Sequence, residues 1–358
     1  MENIEKKTER ISVWWKGEIT DRACCSFAIS KQNKKKTAEE NEPSLNSYWL
    51  SENEEPDLES LVNRQIEIIN SNVYFGEEMP TFPHKYGRRG TPMILAAYLG
   101  GRVKFREDTV WVEPVIENWK KFKIHFDSEN IWYRRSYNFF KLAVEKCSTH
   151  NIIPWLPDFG DALTVFSLLR GTERLLLDLV DDKKAVLEAR DRFIQLWPEF
   201  HKNFYQLYAH KFPGDSSWLV WAPGKTYACQ CDFSTMISPE MFKEFVVPEI
   251  ETIGKYLDYI IWHLDGPDEI RHLDILLNLP QIKAIQWVPG AGNPPAVKWF
   301  PMLKKIQEKG KSLIIYAEDE TQVKILLKEL SPRGLFISGG FTGKTEKEAE
   351  EFMKMFSQ

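Results

Sequence analysis

Long apolar runs are missing from this chain: none of its 358 residues belongs to a stretch approaching the ~18 that a membrane-spanning helix needs, so a membrane span is excluded. The first residues, MENIEKKTER, are charged and carry no apolar signal region. A strong excess of either charge is missing too. With a net charge of −5 and a pI near 5.9, nothing in the electrostatics calls for nucleic acid as a partner. Cysteine is scarce, and the five residues (Cys24, Cys25, Cys147, Cys229, Cys231) are odd in number and form no disulfide framework. They suit a reducing cytoplasm, which is the expected location. No GxGxxG follows any apolar run, so a dinucleotide-binding fold loses its main support.

What is present is a large apolar fraction, 43%, in a chain long enough to bury one sizeable core. Tryptophan is abundant, with thirteen residues, several of them at the ends of apolar runs. Most of these are expected to pack, and some could line a flat or apolar ligand site. Residues 31–60 are polar and poor in aliphatics, and read as a loop leading to a helix that begins near Asp57. This divides the chain into an N-terminal extension, 1–60, and a main domain, 61–358.

The second half is regular. Apolar runs occur at SWLVW (217–221), YIIWHL (259–264), AIQWV (284–288), SLIIYA (312–317) and LFISG (335–339), and the last four start 25, 28 and 23 residues apart. Amphipathic stretches at 267–279, 297–309 and 321–330 lie between them. Strands alternating with single helices imply βαβ units and a parallel sheet. Continuous apolarity fits strands covered on both faces. Upstream, NVYF (72–75) and NIIPWL (151–156) read as strands, long helices as spanning 162–179 and 181–209, and VKF with TVWVEP (103–114) as a hairpin. With one less certain strand the total is eight, and the expected fold is α/β, a single (β/α)8 TIM barrel.

In such barrels catalytic groups project from strand C-termini. That places Glu77 and Glu78, Asp158 and Asp161, Trp221 and Tyr227, His263 and Asp265, Gln286 and Trp287, Tyr316 and Glu318, and Ser338 at one rim. His263 and Asp265, two apart on a strand, point to the same side. They could form an acid/base pair, hold a divalent metal such as zinc, or close a strand end through a structural hydrogen bond. Glu318 is a candidate third metal ligand. Glu77 is a further candidate acid/base, and Asp158, Trp221, Tyr227, Gln286, Trp287 and Tyr316 are candidate substrate contacts. Cys229-x-Cys231 reads as small buried thiols, His272 as packing, and VPGAGNPP (288–295) as a turn closing the rim.

Taken in order, NVYFGEEM, LGGRVKFREDTVW, LLRGTERLLLDLVDD, DFSTMISPEMFKEFVVPEI, IIWHLDG, KAIQWVPG and FISGGFTGKTEKEAEEF carry a family likeness. From about Asn72 onward the chain resembles the uroporphyrinogen decarboxylase superfamily, which also holds corrinoid-linked methyltransferases. The decarboxylases carry an N-terminal stretch resembling MRQAGR, where this chain has WWKGEITDRACC with Arg22 alone as a substitute. Their aspartate in a phrase like FSD aligns with Phe75-Gly76-Glu77. The methyltransferases carry His-x-Cys and a distant Cys, where this chain has His263-x-Asp265 and no ligand side chain near Gly339–Phe341. The resemblance implies a methyltransferase acting with a corrinoid, free or on a partner protein, or with a methylated small molecule. The alternatives are a decarboxylase of uroporphyrinogen or another acidic aromatic, and a non-catalytic binding protein on the same scaffold. A homodimer is compatible with the family.

Overall fold

Apolar runs without alternation need cover on both sides, and the chain provides it by winding helices around a sheet. The computed structural model describes residues 3–31, 57–84, 93–105, 110–217 and 220–357. Its centre is a seven-stranded sheet in the order Asn72–Gly76, Cys24–Ser30, Leu335–Gly339, Ser312–Ala317, Ile282–Val288, Tyr259–Asp265, Thr226–Cys229. All neighbours run parallel except the first pair, which is antiparallel. Phe300–Glu308 and Glu320–Glu329 are the helices expected between the last three strands, and Pro267–His272 with Leu273–Leu277 fills the turn before them. The expected hairpin is there as Arg102–Phe105 paired with Val110–Glu113. Short pairs, Thr81–Phe82 with Ile153–Pro154 and Asp215–Ser216 with Trp221–Ala222, stand apart from the main sheet. Among the described residues the hydrogen-bonded ladder is not closed into a barrel. The architecture is mixed α/β around a largely parallel sheet.

Three sequence expectations shift. The sheet strand expected at SWLVW is instead Thr226–Cys229, while Trp221–Ala222 joins only a small antiparallel pair. Pro223-Gly224 breaks the run, and the Asp258 carboxylate accepts from the Lys225 N–H at 2.9 Å, seating the next segment beside Tyr259. The helix expected over 162–179 is cut at Gly171, whose φ of 90° and ψ of 131° lie outside helical space. The boundary at residue 60 cuts through the sheet, because Cys24–Ser30 fills its second position. Residues 32–56 of the expected polar loop lie outside the described residues. The helix after it, Leu58–Asn70, begins where expected, with the Asp57 side chain accepting from the Ser60 N–H.

The N-terminal helix, Ile4–Trp14, is built into this sheet. Asn3 caps it, and its buried face carries Lys7, Arg10, Ile11 and Trp14. Trp14 meets Phe336 edge-on at 5.6 Å, and its carbonyl accepts from the Ser312 hydroxyl at 2.5 Å. Trp15 packs on Tyr259 at 5.0 Å and donates to the Trp221 carbonyl at 3.0 Å. Ser312 and Tyr259 begin their strands, so the two tryptophans plug the N-terminal end of the parallel array.

Glu77 is fastened beside the first residues of Cys24–Ser30. Its carboxylate receives Arg10 at 2.6 Å, Arg22 at 2.9 and 3.0 Å, and the Cys25 N–H at 2.7 Å, all out of reach of water. Gly76 has a φ of +59°, and a Cβ there would lie 2.2 Å from the Cys25 carbonyl oxygen, so only glycine lets the two backbones approach. Removing one partner of a buried ion network strands the others in a medium that cannot solvate them. Glu77→Ala should therefore destabilise the chain by about 3–5 kcal/mol in urea unfolding. A loss below about 1 kcal/mol would show that the guanidinium groups find other partners.

Candidate active site

Alternation along the strands sorts the site. On Tyr259–Asp265 and Ile282–Val288, the register pairs His263 with Gln286 and Leu264 with Trp287. His263 and Gln286 thus share one face, and the Nδ1–H of His263 donates to the Gln286 amide oxygen. Trp262 and Trp287 take the other face, fully buried against the helices, with Phe242 at 5.8 Å and Trp299 at 5.1 Å. The expectation that Trp287 contacts substrate therefore does not hold: its ring faces the helical layer. Tyr227 lies on that side as well. Its hydroxyl accepts from the Phe159 and Gly160 N–H groups at 2.7 and 3.0 Å and donates to Asp158 at 2.9 Å. It braces the Asp158 loop instead of meeting solvent.

On the face of Gln286 a cavity of about 260 Å³ opens between the sheet and the short strands. Gln286, Ile314, Phe336, Ser26 and Ser338 come from the sheet, and Glu78, Thr81, Trp155, Ser216 and Trp221 close it from the opposite side. Ser26 donates to Ser338 across the strands at 3.2 Å. Among the described residues no lysine, arginine or histidine lines this cavity. Trp221 and Gln286, two of the expected substrate contacts, both line this cavity. Ser26 and Trp155 escaped the sequence reading. Ser26 sits in a strand that the sequence reading does not mark, and Trp155 in a run whose facing could not be told from periodicity.

Glu77 borders the cavity but is not available to it. It follows a strand that ends beside the start of Cys24–Ser30, and its carboxylate is held by Arg10 and Arg22. The proposed acid/base role of Glu77 is corrected on that ground. Glu78, its neighbour, faces the cavity half-buried. Burial raises its carboxyl above the usual range, against a hydrogen bond from Ser26 and the attraction of Lys7.

The rim around His263 is acidic. Asp265 and Tyr316 are exposed at strand ends. Glu269 lies buried beneath, accepting from the Asp265 N–H at 3.2 Å and the Ser234 hydroxyl at 3.1 Å. Burial pushes its carboxyl up to about 8. Asp158 receives Tyr227 and the Gln230 amide, the latter at 3.1 Å, and burial pushes it up to about 7.

A zinc site does not fit these residues. Glu318 is exposed and its carboxylate is taken by the Gln322 amide at 2.9 Å, so the expected set of His263, Asp265 and Glu318 is not assembled. Among the described residues no three His, Cys, Asp or Glu side chains gather to hold a metal ion. Cys229 and Cys231 are buried free thiols, and burial raises both. His272 stacks on Phe242 at 4.3 Å and bonds the Ser234 carbonyl at 2.9 Å, which is the packing role expected of it.

No family model matches the chain, and no curated protein matches it. Among solved structures it superposes on a methyltransferase from Methanosarcina mazei with a TM-score of 0.61. That alignment covers 98% of each chain at 10% identity. At this identity the likeness is one of fold. No described helix is long and apolar enough to cross a membrane.

The perturbed carboxyls predict a pH dependence. Glu269 and Asp158 keep their protons in the folded chain to about 8 and about 7, whereas unfolded they titrate near ~4. Above about pH 4 the folded state binds more protons, so these groups make stability fall as pH rises, up to their folded values. Buried His84 and His201, lowered to about 3 by burial, act in the opposite sense below about 6.5. In urea unfolding the chain should be less stable at about pH 8.5 than at about pH 6.5, and Glu269→Gln should flatten that slope. An unchanged slope in the variant would count against a proton on Glu269.

Proposed function

We propose that this chain is a divergent uroporphyrinogen decarboxylase-like (β/α)8 barrel that transfers a methyl group from a small molecule. It would work in the cytoplasm, with a corrinoid, free or carried by a partner protein, as the acceptor. The observation that carries the reading is the cavity, about 260 Å³ and shared through Gln286 with His263. It suits a small donor. A tetrapyrrole with eight carboxylates needs a far larger space and several guanidinium or ammonium partners, and the described residues of this wall offer none. That weighs against uroporphyrinogen decarboxylation. The fold shared with a methyltransferase over nearly the whole of both chains points the same way, though fold alone does not choose a chemistry.

The residues divide the work by position. A methyl group leaving a heteroatom takes no electrons with it, so a neutral donor is left anionic and needs a proton, whereas an ammonium donor leaves as the neutral amine. His263, oriented by Gln286 where strand register sets them level, supplies that proton at the mouth of the cavity. Asp265, two residues on and exposed, supports the imidazolium from the solvent side. Tyr316, exposed on the neighbouring strand, offers the aromatic edge against which a flat macrocycle would rest.

Methyl transfer from small methylated compounds to reduced cobalamin, followed by the absorbance of methylcobalamin, tests the reading. His263→Ala should lower the rate by about 100-fold or more, with thermal stability little changed. Asp265→Ala should lower it as well. Turnover of uroporphyrinogen by the wild-type chain would restore the decarboxylase reading. Ligand binding without any turnover would favour the non-catalytic one.

A further inference from the structure

The wall of the cavity specifies more than size. Two carboxylates border it, and their fates differ. Glu77 is neutralised by Arg10 and Arg22. Glu78 forms no ion pair among the described residues, and Lys7, which attracts it, gives hydrogen bonds to the backbone carbonyls of Tyr74 and Glu78 at 3.3 and 2.6 Å. The other polar groups of the wall are hydroxyls and one amide. Two indole rings, Trp155 and Trp221, line the same space. The Trp221 N–H is committed to the Pro213 carbonyl at 2.8 Å, which holds that ring in place.

A half-buried carboxyl that feels only the Lys7 ammonium, itself bonded to backbone carbonyls, is incompletely compensated, and a cation entering beside it lowers that cost. The faces of indole rings attract cations, most strongly where water is excluded. An anionic ligand would meet a like charge and, among the described lining residues, no donor of opposite sign. We propose that the occupant of this cavity is a small organic cation, an amine or methylated ammonium, with Glu78 as its counter-charge and Trp155 and Trp221 as its aromatic walls. This deepens the methyl-transfer reading and rests on it only for the claim that the occupant gives up a methyl group.

Calorimetric titration of the full chain with choline and with its neutral carbon isostere, 3,3-dimethylbutan-1-ol, tests the inference, since the two differ in charge and hardly in shape. Choline should bind at least about tenfold more tightly. Glu78→Gln should erase that preference by weakening choline while leaving the alcohol unchanged. Trp155→Leu should weaken choline more than the alcohol. Equal affinity of the wild-type chain for the two compounds overturns the inference, whatever the variants do. So does a preference that survives Glu78→Gln. Charge-selective binding without methyl transfer would leave the cavity assignment standing and remove the methyltransferase reading. Methyl transfer from neutral donors alone, without charge-selective binding, would do the reverse.

Discussion

One buried carboxylate governs how this molecule is put together. Glu77 receives two guanidinium groups and a backbone N–H, from the N-terminal helix, from Arg22 just ahead of a strand, and from the start of that strand. Each of these charges would be expensive to bury alone, so the three segments must arrive together or not at all. Their meeting seats Cys24–Ser30 between Asn72–Gly76 and Leu335–Gly339, joining the first residues of the chain to its last strand. It also brings Trp14 and Trp15 under the sheet, where they seal the end remote from His263. The cavity owes its floor to this arrangement.

Strand direction then decides which polar residues can cooperate. Five consecutive parallel strands, from Thr226–Cys229 to Leu335–Gly339, deliver their C-terminal residues to one rim, and equal register lays His263 beside Gln286. The antiparallel strand ends at Gly76, and the two carboxylates that follow it, Glu77 and Glu78, both border the cavity but differ in their partners. One completes a structural ion network and the other enters the cavity. The difference between a scaffold residue and a ligand contact is a single step along the chain.

Much of this could be read beforehand. The late strands announced themselves by continuous apolarity and regular spacing, and four were found where expected. The same facing rule that placed His263 and Asp265 together also held. It failed for Trp287 and Tyr227 because runs apolar on both sides do not reveal which face is the helical one. Cys24–Ser30 was overlooked because it lacks a neighbouring helix at the usual spacing and earns its place in the sheet through partners far away in sequence.

What the sequence by itself determined was the class of fold, the position of the strands after residue 258, and the adjacency of His263 and Asp265, all consequences of local periodicity. Tertiary structure alone decided that Glu77 is structural, that the Glu318 carboxylate is bonded by Gln322, and that Glu78 shares a small cavity with two tryptophans. Strand direction and the pairing of buried charges are set between distant segments. Spacing along the chain carries no record of either.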